Sequence, residues 1–190
     1  MNEFNLFKEF PELQSDELIL CNITVSDLND LFDLVSNETL YKYSSSHAKK
    51  TKAAVYNMIA QFERDFNQKK AIYWGIHQKS TFPKLIGLIE IFDFNKSLNM
   101  VTIGYMINED YWGNGYASKS VQLVLKFIFS LGEINSVQAL VVSENTKSIR
   151  VLMRNNFTYD GSIPKKFRPS NNVALNVDIY SIQKKDFSYN

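Results

Sequence analysis

The junction at residues 103–120, IGYMINEDYWGNGYASKS, constrains this chain more than any other stretch. A run rich in β-branched and aromatic residues, MVTIGYMI (100–107), ends in a polar loop with two glycines, and an apolar pattern at helical spacing follows from about Ala117 to Leu131. A strand, a glycine loop and a helix start in that order present free backbone N–H groups and the positive end of the helix dipole. Gly113 and Gly115 flank Asn114 and permit close backbone approach, while the small Ala117 and Ser118 keep the first helical turn open. The spacing alone suits either a tight turn or a phosphate cradle. It is not a Rossmann fingerprint, because the third glycine and the parallel βαβ frame are missing, and not a Walker loop, because no Lys-Ser/Thr pair closes it.

Around this junction the elements read in order. LILCNI (18–23) is a strand; Thr24 with Asp27 three positions on is a capping-type start for a helix to about Val35; 37–50 is irregular; and Val55, Ile59, Phe62 and Phe66 mark a helix over about 52–67. AIYWGIH (71–77), LIGLIEIFDF (85–94) and MVTIGYMI then form an antiparallel meander. After the junction helix come a strand at SVQALVV (136–142), a short helix at 146–156, an irregular Pro-containing connection and a last strand at VALNVDIYSI (173–182).

Composition limits what such a chain can bind. Lys and Arg total 21 against 20 Asp and Glu, so no global field selects nucleic acid or an anionic membrane, and any anionic ligand must be held locally. Cys21 is the single cysteine, which excludes an internal disulfide and a cysteine zinc site and fits a reducing compartment. The acidic start lacks a signal-peptide pattern and no apolar run reaches about 18 residues, so a cytoplasmic protein is expected. With four prolines, seven glycines and neither linker nor repeat, one domain is expected over residues 1–190, its core about 17–184.

IGYMINEDYWGNGYASKS followed by SENTKSIRVLMRNNF (143–157) resembles the GNAT family of N-acetyltransferases, in its RimJ/RimL-like branch, and the likeness reaches from LILCNITVSDLNDLFDLVSN to VDIYSI. The resemblance implies an α+β fold layered α/β/α: a mixed, mostly antiparallel sheet of about 6–7 strands with a splayed parallel pair, 100–107 and 136–142, and about four helices. It implies acetyl-CoA in the gap between the splayed strands, with no metal. The backbone of Gly113, Asn114, Gly115, Tyr116, Ala117 and Ser118 would take the pyrophosphate, and Tyr105, Met106 and Ile107 would run beside the pantetheine arm. Asn145 matches a cofactor-contacting asparagine but is equally an N-cap; Ser148 matches a serine near the thiol but is equally a small helix residue. Two positions depart from the family pattern. Asn156 replaces a glycine, which a helix C-cap tolerates, and Thr102 replaces an acid, which removes one candidate base.

The activity implied is transfer of acetyl to a primary amine, of a protein N-terminus or a small molecule, by direct attack in a ternary complex. Such a reaction needs position and an oxyanion donor, with or without a general base. Glu90, a charge amid the apolar strand LIGLIEIFDF, is the first candidate base against a solvent-facing reading; Glu144 and Asp93 follow. Tyr41, Tyr43, Tyr73, Trp74 and Phe92 either wall the acceptor pocket or fill the core, and His47 and His77 are expected at the surface or behind the site. The alternative is a non-catalytic acyl-CoA-binding module. The chain is expected to act as monomer or homodimer, without nucleic acid or membrane partners.

Overall fold

The structure, a computed structural model, describes residues 5–44, 46–168 and 173–189. Eight strands form one sheet in the order β1-β2-β3-β4-β5-β6-β8-β7. They are β1 (Leu13–Gln14), β2 (Leu18–Asn22), β3 (Ala71–Gln78), β4 (Lys84–Asn95), β5 (Met100–Ile107), β6 (Ser136–Val142), β7 (Thr158–Arg168) and β8 (Val173–Gln183). Four α-helices accompany them: α1 (Leu28–Ser36), α2 (Lys52–Asn67), α3 (Tyr116–Ser130) and α4 (Thr146–Arg154). All neighbours pair antiparallel except β5 and β6.

The sheet has one strand more than the upper expectation: to the six strands located in the sequence it adds the two-residue β1 and the longer β7 at 158–168. The segment expected to be an irregular Pro-containing connection is the edge strand β7, paired to β8 with a register shift between Ile163 and Lys166 that brackets Pro164. An edge strand bonds on one side only, so a proline that cannot donate is accommodated at such an irregularity.

Helices cover both faces of the sheet. Val121, Val124, Leu125, Ile128 and Phe129 of α3 are fully buried against Leu18, Leu20, Trp74, Ile76 and Val101. On the opposite face, Leu31, Leu34 and Val35 of α1 pack with Val55, Ile59 and Phe62 of α2 over Ile23, Leu85 and Leu88. Each fully buried aliphatic side chain contributes on the order of 1.5–3 kcal/mol, and these two faces clamp the sheet from either side.

The parallel pair is short, and its shortness makes the site. β5 and β6 pair only at Met100↔Ser136, Val101↔Val137 and Thr102↔Gln138. Beyond Thr102, β5 continues along β4 to Ile107 opposite Gly87, while β6 follows β8 to Val142 opposite Val177. The two halves of the sheet therefore diverge, and the β5 edge past Thr102 has no strand partner on the β6 side. Thr102 itself is buried, and its Oγ1 accepts from Gln138 Nε2 at 2.9 Å across the last paired position.

Candidate functional site: a cleft where two strands part

A cavity of about 540 Å³ opens where β5 and β6 diverge. Glu90, Phe92, Tyr105, Met106, Asn145 and Ser148 line it together with Leu40, Tyr43, Ser44 and Ser46 of the α1–α2 connection. Glu90 of β4, Tyr105 and Met106 of β5 and the α4 pair Asn145 and Ser148 thus meet at one space. Ile107 does not line the cavity; it is buried, and its carbonyl accepts from Trp112 Nε1 at 2.8 Å.

Glu90 faces the cavity rather than the solvent side of the sheet. It lies opposite Tyr73 on β3 and Gly104 on β5, and a Cβ on Gly104 would come within 2.9 Å of its Oε1. Glycine at 104 therefore makes room for the carboxyl. Burial, reinforced by Asp93, pushes the Glu90 pKa up to about 7. Asp93 is exposed and holds a left-handed backbone (φ 53°) at the irregular end of β4, and Glu144 is also exposed and outside the cavity lining.

Asn145 is both the N-cap of α4, its Oδ1 accepting from the Ser148 N–H at 3.3 Å, and part of the cavity wall. The Ser148 hydroxyl lies 2.8 Å from the Tyr105 hydroxyl, which also donates to the Ser148 carbonyl at 3.1 Å. Burial pushes the Tyr105 pKa up to about 12 against a smaller opposing effect of the Ser148 hydrogen bond, so it stays a neutral phenol. This pairing across the cleft, from β5 to α4, has no signature in sequence. At the other end of α4, Asn156 is left-handed (φ 62°), with Asn156 N–H bonded to Met153 O and Phe157 N–H to Leu152 O, so asparagine takes the left-handed position just after the C-cap, Asn155.

The glycine loop lies beyond the end of β5, outside the cavity lining. Gly113 (φ 85°) and Gly115 (φ 78°) are left-handed, and a Cβ on Gly113 would meet nothing within 4 Å. The glycines thus serve the backbone turn and leave open space before it. α2 is capped by Thr51 and α4 by Asn145, but α3 begins at Gly115 with no side-chain cap. Its first backbone bond from outside the helix body runs from Lys119 N–H to Gly115 O at 3.0 Å, which leaves the N–H groups of the first turn without intrahelical acceptors. Asn114 Nδ2 donates within the loop to Tyr111 O at 3.2 Å and Trp112 O at 3.4 Å; the Tyr116 hydroxyl accepts from Gln78 Nε2, and Ser118 Oγ from Asn155 Nδ2, each at 2.9 Å. Ala117 packs, partly buried, against the core.

The remaining aromatic and histidine candidates separate cleanly. Tyr43 and Phe92 line the cavity, Tyr73 stacks on Phe62 at 4.2 Å, and Tyr41 and Trp74 are core. His47 is exposed and His77 is buried. Its Nε2 lies 2.9 Å from Asp27 Oδ1, and its Nδ1 lies 3.5 Å from Cys21 Sγ and 3.2 Å from Gly75 O. Burial alone would lower its pKa, yet the bonds to Asp27 and Cys21 outweigh that and push it up to about 10. Among the described residues no group of three His, Cys, Asp or Glu is placed to hold a metal ion, and no helix is long and apolar enough to cross a membrane.

Comparison with known proteins agrees with this geometry. Residues 17–158 match the family model for the acetyltransferase (GNAT) domain. An uncharacterized N-acetyltransferase of Bacillus subtilis, YoaA, is 30% identical over 92% of this chain and 98% of its own length. Among solved structures, the microcin self-immunity acetyltransferase MccE in complex with acetyl-CoA and AMP superposes with a TM-score of 0.81 at 21% identity, covering 89% of this chain and 93% of that one. The RimL ribosomal-protein α-N-acetyltransferase in complex with coenzyme A gives 0.80 at 19% identity, covering 91% and 98%. These two likenesses are of fold.

Proposed function

Because the chain belongs to the GNAT family of acetyltransferases, we propose that it transfers acetyl from acetyl-CoA to a primary amine, by direct attack with both substrates held in the cleft. Products are the N-acetylated amine and free CoA. The residues present suit such a donor. The uncapped start of α3, the open space before Gly113 and the unpartnered edge of β5 around Tyr105 and Met106 offer N–H donors to a pyrophosphate and to amides. Acetyl-CoA, when bound, supplies the acyl group as a thioester already activated toward an amine.

The chain's own part is positioning and proton handling. Glu90, with a pKa of about 7, is matched to take the proton that an ammonium loses before it can attack. Ser148 holds a hydroxyl on the opposite wall, its oxygen fixed by Tyr105, and is set to pass to the departing sulfur the proton that the attacking nitrogen sheds, which restores its own hydroxyl. Asn145 fixes the first turn of α4 and with it the Ser148 backbone. The observation that carries this reading is the convergence of Glu90 and Ser148 on one cavity at the point where β5 and β6 part.

Thermal unfolding with increasing acetyl-CoA tests the donor. At about 100 times its dissociation constant a ligand adds roughly 2.7 kcal/mol, which raises Tm by about 5–10 °C for a chain of this size. CoA release with a panel of amines tests turnover, and Ser148→Ala is expected to lower kcat while leaving acetyl-CoA affinity unchanged. An absent Tm shift in the folded protein refutes the donor. Saturable stabilisation with no CoA release for any amine leaves the non-catalytic acyl-CoA module instead.

A further inference from the structure

Acetyl transfer makes no use of a second constellation, built where β2 meets β3. Cys21 of β2 lies opposite Gly75 of β3, and His77, two residues on, leans its ring back over that glycine. A Cβ at 75 would come within 2.7 Å of His77 Cε1, with Ile23 and Leu85 atoms at 3.0 Å, so glycine there gives the imidazole its place. The ring is held at both nitrogens. Nε2 donates to Asp27 Oδ1 at 2.9 Å, and Nδ1 lies 3.2 Å from Gly75 O and 3.5 Å from Cys21 Sγ. Asp27 is fixed in turn, its Oδ2 accepting from the Thr24 N–H at 2.8 Å. Imidazole and carboxylate are only 7% and 15% exposed, whereas Cys21 is half-buried. The pairing of β1 with β2 ends at Leu13↔Leu20, so no strand among the described residues pairs with β2 at Cys21 on that side.

We infer that Cys21, His77 and Asp27 form a nucleophilic thiol site whose reactant is a small disulfide and whose product is a mixed disulfide at Cys21. The three side chains stand in the order nucleophile, imidazole, carboxylate, with hydrogen-bond contacts between successive members. The bonds to Asp27 and Cys21 outweigh burial and keep His77 protonated up to about 10, so near neutral pH its Nδ1 carries a hydrogen. That N–H and its charge stabilise a negative sulfur, the attacking form. In the exchange the Cys21 proton passes to water and Sγ bonds to the nearer sulfur of the disulfide. The S–S bond breaks, its electron pair leaves on the far sulfur, and that thiolate takes up a proton. Cys21 is oxidised as the departing half is reduced, and a free thiol runs the step backwards. A small reactant suits a half-buried sulfur, and the site stands apart from the cleft, whose lining includes none of the three residues.

Because Cys21 is the single cysteine, every thiol released from a disulfide reagent reports on it. Dipyridyl disulfide, a neutral reagent whose released thione is read by absorbance, is added to the native protein at pH 6.5, where an ordinary thiol is about 1% anion, and to the same chain unfolded in urea. Burial alone makes the native thiol slower than the unfolded one; the site makes native exchange about 10-fold faster. His77→Gln, shown to be folded by circular dichroism, is expected to lose that advantage. A native rate at or below the unfolded rate overturns the inference, and so does a folded His77→Gln protein that reacts as fast as wild type. If His77→Gln does not fold, the native-to-unfolded ratio of the wild type decides alone.

Discussion

The two sides of the cleft are built in different ways. The side that we assign to an acyl donor comes from two short stretches: the end of β5, the loop through Gly113 and Gly115, the open start of α3, and α4 with Asn145 and Ser148 come from 103–120 and 143–157. The side that we assign to the acceptor is assembled from pieces distant in sequence, with Leu40, Tyr43, Ser44 and Ser46 facing Glu90 and Phe92 of β4, and Tyr73 of β3 behind them. Two short local stretches make the first side a motif. The second depends on packing, because α1 and α2 must settle on Ile23, Leu85 and Leu88 before the 37–50 connection reaches the cavity. The difference teaches that one wall of such a cleft is legible in short strings of sequence while the other exists only in the tertiary fold.

Substitution on one side should leave the other intact, and the largest separation is expected at Glu90. Glu90→Gln removes the proton acceptor with little change of shape. Its kcat/KM is expected to fall about 10²–10⁴-fold at pH 8 while acetyl-CoA affinity stays within 2-fold. In the wild type, kcat/KM should rise with pH through about 7, and the variant should lose that limb. Stability moves the opposite way. The folded pKa is raised from 4.5 to about 7, so the folded chain binds the extra proton between those values and the wild type loses stability as pH climbs through them. Glu90→Gln should therefore melt several degrees higher than wild type above pH 7 and at the same temperature below pH 4.5. A variant that keeps full turnover removes Glu90 from the mechanism.

The mirror experiment breaks the donor side alone. Gly115→Val places a β-branched residue at φ 78°, where nothing but Lys119 Cε at 3.9 Å lies near its Cβ. The fold then bears backbone strain of about 1–2 kcal/mol, while the loop loses its close approach to an anion. Acetyl-CoA affinity is expected to drop about 100-fold, with the binding of amine probes to the variant within 3-fold of wild type. Wild-type acetyl-CoA affinity in a folded Gly115→Val protein would show that the loop is a turn and nothing more.

What sequence reasoning found and missed follows the same division. The strand, loop and helix at 100–130 and the N-cap and C-cap of α4 are local matters of spacing and backbone conformation, and Asn145 and Asn156 carry both in their residue type. Glu90 stood out because a charge interrupts an apolar strand, but its face depended on the pairing of Gly104, which no local pattern contains. Tyr105 was named for its backbone, yet its hydroxyl meets Ser148, 43 residues away. β7 was hidden by Pro164, which suits an edge strand only once the neighbouring strand is known. The partner of His77 was hidden for the same reason: Asp27, legible as a capping residue and accepting the Thr24 N–H at Oδ2 at 2.8 Å, also reaches 50 residues forward to hold the imidazole.

That buried pair gives a third, smaller separation, because it stabilises the acceptor side without touching either substrate. Asp27→Asn leaves His77 without its carboxylate, and a loss of about 2–4 kcal/mol is expected at pH 7, with acetyl-CoA affinity within 2-fold of wild type. The sign with pH is fixed by the raised His77 pKa. Its contribution is fully present below 6.5 and is lost as pH rises through about 10, so the Tm gap between wild type and Asp27→Asn should narrow across that interval. A gap that stays constant with pH would assign the loss to the helix cap alone.

The smallest effect tests how the donor loop is held to the end of β5. Trp112 is tied twice, by its indole N–H to the Ile107 carbonyl at 2.8 Å and by the Lys147 ammonium 3.9 Å above its ring. The first bond anchors the loop to β5 through a buried residue's carbonyl. The second joins it to the first turn of α4 at an exposed site, where a cation over an aromatic ring contributes about 0.5–1 kcal/mol. Lys147→Met keeps the length of the side chain and removes the charge, so Tm should fall by about 1–3 °C and acetyl-CoA affinity by no more than about 4-fold. Trp112→Phe keeps a ring beneath Lys147 but strands the Ile107 carbonyl, and its cost should be the larger of the two, because an orphaned acceptor loses about 1–3 kcal/mol. The reverse order would mean that α4, rather than β5, holds the loop in place.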